Sequence, residues 1–214
     1  MEITYLGHSS FKLRGKTASV ITDPFDPDMV GIKLPAKTEA DAVTVSHQHK
    51  DHNFVKALSG NPLIIAGPGE YEIKGIRIIG VSTFHDDVLG AQRGRNTVYH
   101  FKIDGVSLVH LGDLGHKLAD ADRELLDEID VLFVPVGGFY SLSPSVAAEV
   151  VAQLEPRLII PMHYRTPAHS LGWDKVSTVD VFLKEMGKEG IVPQAKLVVS
   201  KDKMPAEPTI VVLE

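Results

Sequence analysis

The sequence predicts one α/β domain in which mixed sheets are covered by helices. Three observations carry this reading. Short apolar stretches of strand length occur in both halves, helix-forming segments separate the later ones, and no low-complexity stretch or linker divides the 214 residues. The first third is strand-rich. Residues 3–6, 10–13 and 19–22 are broken by Gly7 and by Arg14-Gly15-Lys16, as in a hairpin or meander. Asp23-Pro24-Phe25-Asp26-Pro27 ends this run, because proline lacks the ladder donor and fixes φ. Residues 42–45 read as a buried strand, followed by a polar loop and a helix over 53–58. Further strands are expected over 63–66, 75–81 and 97–103, the last forming a hairpin with 106–111 through Asp104-Gly105.

After Gly112 the pattern changes. Residues 123–129 read as helical and 130–136 as a nearly all-apolar strand. Ser143-Pro144 opens a helix that runs to Leu154, with serine as N-cap and proline at the first helical position. Residues 157–161 form the next buried strand, 178–189 a helix, 194–199 an extended segment, and 210–213 close the chain. The two halves resemble each other loosely: hairpins, then a buried strand with a polar exit, then a helix.

Composition excludes several function classes. The chain carries 22 Lys and Arg against 28 Asp and Glu, a net charge of −6, which argues against holding nucleic acid by bulk electrostatics. There is no cysteine, so disulfides, thiolate nucleophiles and zinc-thiolate sites are ruled out, and any metal must sit on histidines and carboxylates. Met1-Glu2-Ile3-Thr4 has neither a basic nor an apolar leader region. No apolar run approaches the roughly 20 residues needed to span a bilayer. The expected location is the cytoplasm.

The strongest chemical signal is Ser46-His47-Gln48-His49-Lys50-Asp51-His52, directly after the strand at 42–45. In a helix, positions two apart diverge by roughly 200° and could not share a metal. In an extended exit loop His47, His49 and Asp51 point the same way, by the period of two. His52 joins them if the chain turns there. Three imidazoles and a carboxylate exceed what one open catalytic zinc needs, which suggests two adjacent metals.

This His47-x-His49-x-Asp51-His52 stretch resembles the signature of the metallo-β-lactamase superfamily. Other landmarks follow in order: Asp23 closing an early strand, His85 in Thr83-Phe84-His85-Asp86, Asp113 in His110-Leu111-Gly112-Asp113, and His163 in Pro161-Met162-His163-Tyr164. Within the superfamily the chain resembles the branch of small metal-dependent hydrolases that includes L-ascorbate-6-phosphate lactonase. The stretches that carry this are Tyr5-Leu6-Gly7-His8-Ser9, Gly69-Glu70-Tyr71-Glu72, residues 110–116 and Pro135-Val136-Gly137-Gly138. The resemblance implies a four-layer αββα sandwich with two divalent metals at one edge. His47, His49 and His85 would hold one metal; Asp51, His52 and His163 would hold the other, with Asp113 bridging. A hydroxide shared between the cations is the implied nucleophile. Zinc leads for such nitrogen and oxygen ligands, with manganese or iron as alternatives.

Weaker candidates surround this set. Asp23 is expected to orient a ligand. His8, His110 and His116 are either neighbours of the metals or ordinary hydrogen-bonded histidines, and His169 reads as structural or surface. Arg93 and Arg95 in Gln92-Arg93-Gly94-Arg95 either grip a phosphate or carboxylate or lie in a solvated loop. Trp173 is expected to pack under the site. The leading expectation is hydrolysis of a small ester, lactone or phosphoester, with an anionic small molecule as partner, no membrane, and homo-oligomers unsurprising. Asp51 and Asp113 are the expected catalytic carboxylates. A phosphodiesterase or nuclease, favoured only by Arg93 and Arg95, and a non-catalytic metal-binding scaffold are the alternatives.

Overall fold

The computed structural model describes residues 1–126 and 128–214. Its elements in chain order are β1 (Glu2–Gly7), β2 (Ser10–Arg14), β3 (Ser19–Thr22), α1 (Pro27–Val30), β4 (Ala42–Val45), β5 (Leu63–Ala66), β6 (Gly69–Ile73), β7 (Ile76–Phe84), β8 (Arg95–Ile103), β9 (Val106–His110), α2 (Asp120–Glu124), β10 (Val131–Pro135), α3 (Pro144–Leu154), β11 (Leu158–Met162), α4 (Val179–Glu185), β12 (Lys196–Val198) and β13 (Thr209–Ile210). They form two mixed sheets, ordered β12-β1-β2-β3-β4-β5 and β13-β11-β10-β9-β8-β7-β6. Each sheet starts antiparallel and turns parallel, at β3–β4 in the first and β9–β10 in the second.

The alternation of side chains along each strand divides the apolar residues between two interiors. Val131 and Phe133 of β10 face the layer between the sheets, where Phe133 meets Phe11 of β2 with ring centroids 4.5 Å apart. Leu132 and Val134 face outward and are covered by Ala147 and Val150 of α3 and Phe182 and Leu183 of α4. Cover on both faces explains why β10 and β11 are nearly continuous apolar runs. The outer face of the first sheet is covered more thinly. Ile21, Val43 and Val45 pack under Leu34, Ala40, Val55 and Leu58, which lie in loops and one short 3-10 turn.

Three helices differ from the sequence reading. The helix expected over 53–58 is a single 3-10 turn, Val55–Ala57. The Asn53 amide bonds back to the Gln48 carbonyl, and Ser59-Gly60-Asn61-Pro62 stops any continuation, with Gly60 at φ +80°. The helix expected over 123–129 lies earlier, at Asp120–Glu124, where Asp120 and Asp122 occupy the first turn and favour the positive end of the helix dipole. Residue 127 of that expected helix falls outside the described residues. The helix expected over 178–189 stops at Glu185, because Gly187 takes the left-handed conformation at φ +63°. Two elements escaped the sequence reading. Gly69–Ile73 is an edge strand paired with β7, and Pro27 opens α1 with Asp26 as its cap.

Strand direction decides where the chemistry gathers. β1, β3 and β4 run one way in the first sheet, and β7, β9, β10 and β11 share one direction in the second. Their carboxyl ends meet at one edge of the sandwich. There the His163 N–H donates to the His8 carbonyl (3.0 Å) and the Thr97 N–H to the Ser46 carbonyl (2.9 Å), stitching the two sheets together. Among the described residues no helix is long and apolar enough to cross a membrane.

Candidate metal centre

Five chain segments converge at this edge. The β4 exit carries His47, His49, Asp51 and His52; the β7 exit carries His85; the β9 exit carries Asp113; the β11 exit carries His163; and the two-residue β1–β2 turn carries His8. Their donor atoms fall into three overlapping groups of converging ligands: His47 with His49 and His85; His47 with His52 and Asp113; and Asp51 and His52 with His163 and His8. Asp113 stands at the hub. Its Oδ2 lies 3.1 Å from His163 Nε2, 3.3 Å from His52 Nε2, 3.4 Å from His85 Nε2 and 3.9 Å from His47 Nε2. All of these side chains except His49 are buried.

Hydrogen bonding fixes which ring nitrogens are free. Asp23, at the end of β3, accepts the Ser46 N–H on Oδ1 (2.8 Å) and both the Ser46 hydroxyl (2.6 Å) and His52 Nδ1–H (2.8 Å) on Oδ2. Because the Ser46 hydroxyl donates to Asp23, its oxygen accepts from His47 Nδ1, 2.9 Å away. One carboxylate therefore holds a hydrogen on Nδ1 of both His47 and His52 and turns both Nε2 atoms into the site, the orientation that metal-binding histidines require.

Those inward atoms have no partner within the protein. His47 Nε2, His52 Nε2, His163 Nε2 and Asp113 Oδ1 are buried without a hydrogen bond, a costly state unless a ligand completes them. Among the described residues the ion-pair partners of Asp51 and Asp113 are all histidines. Burial alone would raise the Asp113 carboxyl, yet His163 and His52 more than offset it and hold it well below the usual range. Burial pushes His52 down, but Asp113 and Asp51 outweigh it, so the ring carries the proton that balances the carboxylates. Burial and then His52 lower His47 to about 2, leaving it neutral, as a ligand must be. Orphaned imidazoles around a carboxylate hub fit divalent cations, which would take over the balancing charge.

A family model for the beta-lactamase superfamily domain matches residues 2–163. This chain belongs to the metallo-β-lactamase superfamily. Among solved structures it is similar to a candidate Zn-dependent hydrolase of this superfamily from Thermotoga maritima, with 39% identity, a TM-score of 0.80, and coverage of 99% of this chain and 97% of the other. It is 30% identical over 201 residues to a UPF0173 metal-dependent hydrolase from Pelotomaculum thermopropionicum, and 29% identical over 197 residues to one from Thermococcus onnurineus; both alignments cover 78% of this chain and 85% of the relative. The two mixed sheets described above are thus the metallo-β-lactamase fold.

In this metallo-β-lactamase fold the remaining candidates separate into distinct roles. His110 donates from Nε2 to the Ser9 carbonyl (2.9 Å) and accepts the Gly112 N–H on Nδ1 (3.2 Å), so both ring nitrogens are engaged by backbone. His116 accepts the Phe84 N–H (3.2 Å) and donates to the Lys117 carbonyl (2.7 Å), bracing the end of β7 outside the converging groups. Arg93 and Arg95 part company. Arg93 lines the cleft over His85 and Asp113, whereas Arg95 lines a separate cleft of about 350 Å³ on the far side of the His47–His49 loop, which Arg93 also borders.

The main cleft encloses about 540 Å³. Met29, Tyr140, Leu171 and Trp173 form its apolar wall, while Lys50 and Arg93 supply positive charge beside Asp51, His85 and Asp113. Sequence reasoning missed Met29, Tyr140 and Leu171, which carry no local signal and reach the cleft only because α1 and the loops after β10 and β11 converge there. The guanidinium of Arg93 is held in place. Nη2 donates to the Phe139 carbonyl (3.1 Å), and the group lies 5.0 Å from the Tyr140 ring centroid.

The loop that delivers Arg93 is organised by Asp86. Its carboxylate accepts four backbone N–H groups, from Val88 (3.0 Å), Gly90 (2.7 Å), Gln92 (2.9 Å) and Arg93 (2.7 Å). Burial would raise its pKa, but the N–H groups of Arg93, Gln92, Gly90 and Val88 prevail and bring it from 3.8 to about 2. The folded value is depressed, so ionised Asp86 stabilises the fold above about pH 4 and that contribution is lost as pH falls through about 2. Asp86→Asn is therefore expected to be less stable than the parent near neutrality, since an amide NH₂ would face backbone donors. In urea unfolding the gap should close as acid is added across that window. A gap independent of pH would refute the role given to the carboxylate.

Proposed function

We propose that this chain is a binuclear metal-dependent hydrolase that cleaves a small anionic ester, lactone or phosphoester. The observation that supports it most is Asp113 Oδ2 within 3.1–3.9 Å of four Nε2 atoms from three different loops. In this reading His47, His49 and His85 would hold one cation and Asp51, His52 and His163 a second, with Asp113 available to both sets. Zinc suits the histidine-rich set, and manganese or iron would be accepted by the same donors. Two cations in this nest would lower the pKa of a bound water and stabilise the negative charge that develops on the substrate.

The protein's own residues do the rest. Asp23 fixes the tautomers that keep His47 and His52 facing inward. Trp173, Leu171 and Met29 line one side of the cleft and would offer an apolar surface to the substrate body. Arg93 has N–H groups beyond the one on the Phe139 carbonyl, and these would take a carboxylate or phosphate of the substrate. The resemblance to the ascorbate-6-phosphate lactonase branch points to the same combination of a strained ester and an anionic group.

The test is a panel of lactones, carboxylic esters, phosphomonoesters and phosphodiesters, assayed with zinc- and manganese-loaded protein at matched stoichiometry. Turnover of an anionic lactone or ester supports the reading. Turnover confined to phosphodiesters would favour the nuclease reading, to which Arg93 and Arg95 on adjoining clefts contribute. No turnover by fully loaded protein would favour a metal-binding scaffold. For the substrate found, Arg93→Ala is expected to raise KM by roughly 10–100-fold with little change in kcat, the loss of a charged hydrogen bond of about 1.5–3 kcal/mol. An unchanged KM would remove Arg93 from substrate binding.

A further inference from the structure

His8 fits two opposite roles. Its Nε2 converges with Asp51, His52 and His163, so it either presents a lone pair to a cation or an N–H to an acceptor. Its position leaves little freedom. The residue occupies the two-residue β1–β2 turn at φ +57°, a conformation such turns demand. Its carbonyl accepts the Tyr5 hydroxyl (3.1 Å) and the His163 N–H (3.0 Å). Its ring is packed against His163 (centroids 4.2 Å apart) and Trp173 (4.8 Å).

The tautomer can be worked out from outside the site inward. The loop after β11 folds back over the turn and brings His169 to His8. The Thr166 backbone N–H, which cannot reverse its role, donates to His169 Nδ1 at 3.1 Å. The Thr166 hydroxyl is 3.0 Å from the same nitrogen and itself accepts the Ala168 N–H. His169 Nδ1 is therefore an acceptor, and the ring hydrogen sits on Nε2. That Nε2 is 3.4 Å from His8 Nδ1, so His169 donates and His8 accepts. The hydrogen of His8 is then on Nε2, the atom facing the cluster. A protonated Nε2 has no lone pair for a cation. It lies 3.3 Å from Asp51 Oδ2 and is buried without an aligned hydrogen bond, which leaves Asp51 as the carboxylate within its reach.

We propose that Thr166, His169 and His8 form a fixed donor chain, which makes His8 a hydrogen-bond donor to the Asp51 carboxylate and excludes it from the metal ligands. His8 and His169 are positioning residues in this account: they hold one Asp51 oxygen and leave the other to the second cation. The inference deepens the binuclear reading and rests on it for the effect on the second cation, while the donor chain itself is a property of the protein alone.

NMR of the full chain with nitrogen-labelled histidine, metal-free and loaded with a spin-active cadmium isotope, separates the two. The expected spectrum has a proton on His8 Nε2 in both states, cadmium coupling at His52 and His163, and none at His8. Coupling at His8, or its proton on Nδ1, would overturn the proposal. A proton on His8 Nε2 with no coupling at any histidine would support the donor chain and sink the metal reading alone. As a second measurement, His169→Phe should weaken the second cation by roughly 10–100-fold in chelator competition while the cation at His47, His49 and His85 is retained. His169→Gln should recover most of this, because its amide both accepts from Thr166 and donates to His8. An unchanged second affinity in His169→Phe that unfolds at the parent temperature would contradict the chain.

Discussion

Asp113→Asn should retain the fold, lose one of two bound cations, and lower turnover on the order of 1,000-fold. The substitution preserves shape and removes charge at the point where four imidazole nitrogens meet. With a carboxylate there, two cations would share one anionic donor; with an amide, their mutual repulsion would go without that offset. A cation of this kind supplies several kcal/mol of stabilisation to developing charge, and each 1.36 kcal/mol is tenfold in rate. Metal content by elemental analysis, thermal unfolding with and without zinc, and kcat on whichever substrate is found provide the readouts. A variant that keeps both cations and most of its turnover would remove Asp113 from the centre.

The second large effect is expected at Asp23, which touches no substrate. Asp23→Ala would leave the Ser46 N–H, the Ser46 hydroxyl and His52 Nδ1–H buried without their acceptor. Breaking a buried charged network by removing one partner costs about 3–5 kcal/mol. It also frees the tautomers of His47 and His52, so cation affinity should fall by roughly 10–100-fold on top of the loss in stability. Asp23→Asn retains an oxygen for the Ser46 N–H and is expected to lie between the parent and the alanine variant. Urea unfolding of metal-free protein measures the first effect and chelator competition the second. A loss of less than about 1 kcal/mol, the net worth of one ordinary hydrogen bond, would show that the network is not built as described.

The strands and the dense ligand loop were legible because their signals are local. Ala42–Val45 is buried throughout and three of its four residues are apolar, and the ligands follow within seven residues of its end. Ser143-Pro144 announced α3 through an N-cap bond that is present, the Ser143 hydroxyl accepting the Val146 N–H. His169 was illegible for the opposite reason. Its partner His8 lies 161 residues away and meets it only because the loop after β11 folds over the β1–β2 turn. Arg93 and Arg95 looked equivalent in sequence, and only the Asp86 knot separates them, aiming one at the main cleft. Residues 53–58 looked helical by pattern but were too short between the ligand loop and Gly60 to close more than one turn.

Two cations are expected to share one histidine and carboxylate nest. Metal-free protein titrated with zinc, followed by elemental analysis after removal of excess, tests it most directly. Close to two equivalents per chain are expected in the parent and close to one in Asp113→Asn. One equivalent in both, or none in the parent, would contradict it.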